Sequence, residues 1–297
     1  LVILLSYAFV WRLRRDGRRQ SPSLAWSAVK WGHSFFLLST LGPWSLGVLM
    51  ARQMPRTIID LVVHFYLHFL YNGFYTFALL GLLLHWRAMQ GRESESPGLR
   101  LGLLAWACLP AYALSTLWAQ PPAWVWWLAW MAAAVQVLAL LGLSPVLIDS
   151  VRHLSLRSGW SRLLLGISLG SLGLKLLLQA LSSMPMLAVL LHDTRSLMIG
   201  YLHLVFLGFV SCFLLAWLIE HGGLQPSAPA LLLFMMGLLL SEATLLADGL
   251  WHVLLQSQLP GYRVLMLATS SLIPLGTLLL LLKQRSRMPL ASATTST

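Results

Sequence analysis

Residues 191–217 read LHDTRSLMIGYLHLVFLGFVSCFLLAW, and this stretch decides how the rest of the chain is interpreted. It is apolar from Leu197 onward and long enough to cross a bilayer, which takes about 20 residues of helix. Yet it carries one histidine, His203, inside the apolar run. An imidazole in hydrocarbon costs free energy unless another group binds its polar nitrogens. We therefore expect His203 to have a partner inside the membrane.

The composition predicts an all-α integral membrane protein. Of the 297 residues, 58% are hydrophobic and 10% are charged, with a mean hydropathy of +0.76. A soluble domain carries about 25% charged residues. We expect a bundle of about eight transmembrane helices, preceded by an N-terminal helix remnant at residues 1–10. The predicted spans are 25–50, 57–85, 99–118, 123–148, 162–181, 196–219, 228–254 and 264–282.

The distribution of Lys and Arg predicts the orientation of the chain. Basic residues are concentrated in one set of loops, which are therefore assigned to the cytoplasm together with the C-terminus. The net charge of +11 belongs to these loops rather than to a nucleic-acid-binding domain. The partner is then the lipid bilayer, most simply a bacterial inner membrane. We expect a single transmembrane domain at 1–287, a disordered cytoplasmic tail at 288–297, and no internal repeat.

Several ionisable residues lie at membrane depth, where such residues are candidates for function. Asp60, His64 and His68 are four residues apart on one face of the second span. At about 1.5 Å per residue, His64 lies about 10 Å, His203 about 13 Å and His68 about 16 Å below the outer surface. The three histidines therefore share one depth. Asp60 is expected to accept a hydrogen bond from His64 and so orient its ring.

Three interpretations of these histidines stay open on spacing alone. In the first, His203 and either His64 or His68 are the two axial ligands of a haem b between helices. In the second, the chain is a proton-coupled transporter or a copper-handling protein without haem. The polar residues that would move protons or bind copper are then His64, His68, His203, Asp248 and His252. In the third, the histidines only specify helix packing.

Four further polar residues are candidates outside this set. Lys175 lies in the middle of its span and could pair with a carboxylate, extend to the interface or line a proton path. Glu242 lies near mid-membrane and is its expected partner. On the outer side, His192 and Asp193 follow a Met-Pro-Met segment. Sulfur and imidazole ligands together suit Cu(I), so this loop is a candidate outer copper site.

The sequence around His203 resembles that of the haem-copper oxidase family, the family of the catalytic subunit of cytochrome c oxidases. That family has an L-H-D-T segment on the outer side, followed by a helix with haem-ligating histidines and then a glycine. Here the matching residues are 191–194, Tyr201-Leu202-His203 and Gly208. The resemblance implies a haem b site with His203 as one ligand. The other ligand would be His64 or His68, on the helix that resembles the family's second.

The chain also departs from the family's pattern. Tyr201 stands near one of the family's two histidines on this helix, and His203 is offset by one residue. Only two spans separate the second span from the one containing Lys175, and neither contains a histidine, so the copper ligands of the oxygen-reducing centre have no counterpart. The resemblance therefore implies electron transfer or redox and gas sensing without oxygen reduction. Its implied partners are other respiratory membrane subunits or a periplasmic electron donor.

Overall fold

The computed structural model describes residues 2–17, 23–92 and 97–285, and the regular elements within these residues are helices. Eight of them are long and apolar enough to cross a membrane. We number these spans 1 to 8 along the chain: Leu24–Ala51, Arg56–Met89, Gly98–Ala119, Ala123–His153, Gly159–Leu181, Arg195–Glu220, Ala228–Leu255 and Tyr262–Gln284. Two shorter helices are Val2–Gly17 and Pro185–Asp193.

All eight spans predicted from the sequence are confirmed as helices, with ends that agree to within five residues. The agreement follows from length and hydropathy, which are local properties of the sequence. The tail at 288–297 lies outside the described residues. The cytoplasmic position of the C-terminus and the single transmembrane domain stay predictions.

Three spans change helix type along their length. Span 3 tightens into a 3₁₀ helix at Pro110–Ala119, because proline lacks the N–H that an α-helical turn would use. Spans 2 and 6 each widen into an eight-residue π-helical segment, His68–Tyr75 and Leu204–Ser211. π-Helical turns usually occur singly, and often at functional sites. One segment begins at His68 and the other directly after His203, and both histidines are candidates from the sequence.

The chain groups into two compact units, of which unit 1 comprises Leu1–Ser155 and Leu172–Asp193. In unit 1, span 1 packs closely along span 2 through Gly73, where an added Cβ would lie 2.4 Å from the Cβ of Phe35. The ring of Phe35 stacks on Phe69 and contacts Phe77. At one end of span 2, Arg87 forms an ion pair with Asp149 on span 4.

Unit 2 comprises Leu156–Ser171 and Thr194–Thr297. Spans 7 and 8 pack against each other at Gly276, where a Cβ would lie 2.6 Å from the backbone nitrogen of Phe234. The N-terminus of span 5 is capped by Glu220, whose carboxylate accepts hydrogen bonds from the backbone N–H groups of Arg157 and Ser158 at 2.9 and 3.1 Å. A carboxylate at a helix N-terminus also interacts favourably with the helix dipole, whose N-terminal end is positive.

Substitution of Gly73 tests the packing of span 1 on span 2. Gly73→Ala would place a methyl group inside contact distance of Phe35, so we expect a loss of about 1–3 kcal/mol of stability. The measurement is the apparent melting temperature in detergent. Gly102→Ala is the matched control, because a Cβ there meets open space. Equal melting temperatures for the two variants would contradict the packing described.

Candidate functional site

The π-helical segment of span 2 begins at His68, and that of span 6 begins directly after His203. A wide turn leaves backbone carbonyls without their usual α-helical donors, so other groups must satisfy them. In span 2 the Thr76 hydroxyl donates to the carbonyl of Tyr71 at 2.8 Å. In span 6 the Ser211 hydroxyl donates to the carbonyl of Phe206, also at 2.8 Å. Both hydroxyls thus stabilise the wide turn beside a histidine.

His68 is fully buried, and both of its ring nitrogens are engaged. Its Nε2 lies 2.9 Å from the carbonyl oxygen of Cys108 on span 3, and its Nδ1 lies 3.0 Å from the Asn72 amide nitrogen. A carbonyl only accepts, so Nε2 carries the proton and Nδ1 accepts from the amide. His68 therefore has no lone pair left for a metal ion.

His64 has a different environment from His68. Its Nδ1 donates to the backbone carbonyl of Asp60 at 2.7 Å, and its Nε2 forms no hydrogen bond with the described residues. The expectation that Asp60 accepts a hydrogen bond from His64 is confirmed, and the acceptor is the backbone carbonyl of Asp60. The Asp60 carboxylate instead pairs with Arg56 at 2.9 Å, because the arginine lies one turn away on the same helix.

His192 lies beside His64 in unit 1, with ring centroids 6.1 Å apart. The His192 ring stacks in parallel on Trp118 at 3.9 Å, which fixes its plane. Its Nδ1 is buried and has no hydrogen-bond partner among the described residues. Burial, followed by the effect of His64, lowers the pKa of His192 from its ordinary 6.5, against the opposing carboxylates of Asp193 and Asp60. The imidazole is thereby kept neutral, the form that binds metal ions.

His203 lies next to Glu242 within unit 2. Its Nδ1 is 3.3 Å from the Glu242 carboxylate, a distance typical of an ion pair, although the angles do not form a regular hydrogen bond. The two side chains are 26% and 28% exposed, in contrast to the fully buried His68. The Nε2 of His203 forms no hydrogen bond with the described residues. Glu242 is thus the polar side chain that faces His203 Nδ1.

Two of the remaining predicted polar residues, Lys175 and Asp248, form hydrogen bonds within the fold. Lys175 is fully buried and donates to the hydroxyl of Thr76 at 3.0 Å, so its observed partner is not the expected Glu242. Asp248 accepts a hydrogen bond from the backbone N–H of Leu259 at 2.9 Å and so holds the connection between spans 7 and 8. The His252 side chain is half-buried and Asp193 is exposed.

Haem binding requires an imidazole nitrogen with a free lone pair. His64 and His203 both meet this requirement, because each has Nδ1 against an oxygen atom and Nε2 unbonded. His68 does not meet it. Of the two alternatives on span 2, the hydrogen bonds therefore favour His64. Within residues 2–17, 23–92 and 97–285, no group of three or more His, Cys, Asp or Glu side chains is arranged to hold a metal ion.

Sequence reasoning missed the contributions of Cys108, Trp118 and Ser211. Cys108 acts through its backbone carbonyl, and any residue at that position would supply the same oxygen. Trp118 and His192 are far apart in the sequence, and no local sequence pattern predicts that their rings stack. Ser211 does carry a signal, because it stands eight residues after His203 as Thr76 does after His68.

No protein-family model matches the chain, and no curated protein matches it. The resemblance to the haem-copper oxidase family therefore depends on the residues quoted from the sequence alone. The hydrogen bonds of the imidazole nitrogens supply an independent criterion, because they show which histidines keep a free lone pair for a ligand.

Asp248→Ala tests whether this residue holds the 256–262 connection. Loss of the bond to Leu259 leaves a backbone N–H without its charged acceptor, which costs about 1–3 kcal/mol. We expect faster protease cleavage within 256–262, measured by limited proteolysis and mass spectrometry. Asp193→Ala, which changes an exposed carboxylate, is the control. Unchanged cleavage in Asp248→Ala would show that the hydrogen bond does not restrain this segment.

Proposed function

We propose that this chain is an integral membrane protein that binds one low-spin haem b, and that His203 and His64 are its candidate ligands. One observation carries the proposal. In both residues Nδ1 lies against an oxygen atom, the Asp60 carbonyl at 2.7 Å and the Glu242 carboxylate at 3.3 Å, and Nε2 is unbonded. Such partners fix the tautomer of a ligating histidine and raise its basicity.

The proposed role is electron transfer or redox and gas sensing. When bound, haem supplies one-electron chemistry. His203 and His64 would hold the haem, and the group would supply one-electron transfer there. The Asp60 carbonyl and the Glu242 carboxylate orient the two imidazoles. A bacterial inner membrane, with respiratory subunits or a periplasmic electron donor as partners, is the setting that the haem-copper oxidase resemblance supports.

The test is the visible spectrum of the purified protein after haem loading. We expect a sharp α-band on reduction that is lost in both His203→Ala and His64→Ala. His68→Ala should keep the band but lower the melting temperature, because it removes two buried hydrogen bonds worth about 1 kcal/mol each. His85→Ala, an exposed histidine on the same span, is the control. An unchanged band in His203→Ala would reject the assignment.

A second candidate function is copper handling, favoured by the pair His64 and His192. Their ring centroids are 6.1 Å apart, the His64 Nε2 is unbonded, and the His192 Nδ1 is buried without a partner. Imidazole is a good ligand for copper. The candidate uses His64 differently from the haem proposal, so the two functions exclude each other at this residue.

Metal analysis of the same preparation separates the two candidates. Copper handling predicts a colourless protein with about one copper per chain, reduced at least tenfold in His192→Ala. The haem proposal predicts that His192→Ala keeps the α-band. His85→Ala, an exposed histidine outside this segment, is the control. A preparation that takes up neither haem nor copper would contradict both candidates and leave the histidines a packing role.

A further inference from the structure

The residues around the two π-helical segments repeat one pattern, contrary to the expectation of no internal repeat. Residues 66–76 read YLHFLYNGFYT and residues 201–211 read YLHLVFLGFVS. The shared pattern is Y-L-H, an aromatic residue three positions after the histidine, G-F at the fifth and sixth positions, and a hydroxyl residue at the eighth. Five of the eleven positions are identical.

A second pattern precedes each of these segments. Span 1 contains WSAVKWGHS at 26–34, and span 5 contains WSRLLLGIS at 160–168, so both share W-S-x4-G-x-S. The spacing between the two patterns is also preserved. Trp26 precedes His68 by 42 residues, and Trp160 precedes His203 by 43 residues. Two patterns in the same order at nearly the same spacing indicate a repeated segment rather than two chance similarities.

The two copies also share their local structure. The hydroxyl at the eighth position donates to the carbonyl at the third position in both, Thr76 to Tyr71 and Ser211 to Phe206. The motif glycine is a close-contact point in both, since a Cβ would lie 2.4 Å from Phe35 at Gly73 and 2.7 Å from the Ser171 hydroxyl at Gly208.

The helices after each motif continue the correspondence. Gln120 directly follows span 3 and Gln256 directly follows span 7, and both glutamines adopt the left-handed backbone conformation, with φ of 51° and 50°. In each copy the motif histidine lies against the third span of that copy. His68 contacts the carbonyl of Cys108 on span 3, and His203 lies 3.3 Å from the carboxylate of Glu242 on span 7.

The copies differ in the groups that face the imidazole nitrogens. His68 Nε2 faces the Cys108 carbonyl, and its Nδ1 faces the Asn72 amide, so the proton is on Nε2. His203 Nδ1 lies 3.3 Å from the Glu242 carboxylate without a regular hydrogen bond, and an ionised carboxylate in this position favours a proton on Nδ1. Leu207, which stands in the place of Asn72, offers no polar group.

We infer that spans 1–3 and spans 5–7 are two copies of one helical module, and that the copies hold their motif histidines in opposite tautomers. Of the two motif histidines, only His203 keeps an Nε2 lone pair for a ligand, while His68 has become structural. Glu242 is then the positioning residue that distinguishes the two. The identity of the ligand as haem iron rests on the proposed function, whereas the pair of tautomers does not.

The tautomers are measured by ¹⁵N NMR of protein labelled at its nine histidines and purified without haem. His68→Gln and His203→Gln assign the two sets of ring signals. We expect a protonated Nε2 in His68 and a protonated Nδ1 in His203. Observation of the same neutral tautomer in both residues would overturn the inference, whether or not the protein binds haem.

Glu242→Leu tests the positioning role directly. Loss of the carboxylate should reduce the Nδ1-protonated population of His203 and weaken haem binding by about 10–100-fold, measured by titration with haem. Asn72→Leu is the matched control, because the Cys108 carbonyl still holds the proton of His68 on Nε2. An unchanged His203 tautomer in Glu242→Leu would overturn the inference. Opposite tautomers in a protein that binds no haem would instead reject only the proposed function.

Discussion

A buried imidazole nitrogen costs free energy unless another polar atom binds it, and this cost organises the polar interior of the chain. His68 has both nitrogens bonded, one to a carbonyl and the other to an amide. His64 has only Nδ1 bonded, and His203 has the Glu242 carboxylate 3.3 Å from its Nδ1. The difference separates a histidine that stabilises the fold from histidines that remain able to bind a ligand.

The π-helical segments place these histidines and generate their surroundings. A wide turn shifts the register of the following residues and exposes carbonyls that hydroxyl side chains then bind. Thr76 serves two purposes here, since it donates to Tyr71 and accepts from the fully buried Lys175. The cost of burying the lysine amine is offset in part by this contact. The irregular helix and its polar neighbours therefore form one connected arrangement in unit 1.

Duplication followed by divergence explains why similar sequences surround histidines with different partners. Both copies keep the glycine and the hydroxyl that the wide turn requires, because the backbone conformation depends on them. The positions that contact the imidazole have changed, from Asn72 to Leu207 and from a backbone carbonyl to Glu242. Substitutions confined to the residues that contact the imidazole change which ring nitrogen is free to bind a ligand, while the helix geometry is kept.

The sequence by itself determined the eight spans, because length and hydropathy act locally and need no knowledge of neighbours. It also identified His203 as a residue that requires a partner, and the repeated motif could have been read from it too. Only the tertiary structure decided that the partner is Glu242, that a main-chain carbonyl orients His64, and that His192 stacks on Trp118. These contacts depend on which helix faces meet across long stretches of chain, and an apolar sequence carries almost no pattern that specifies such a pairing.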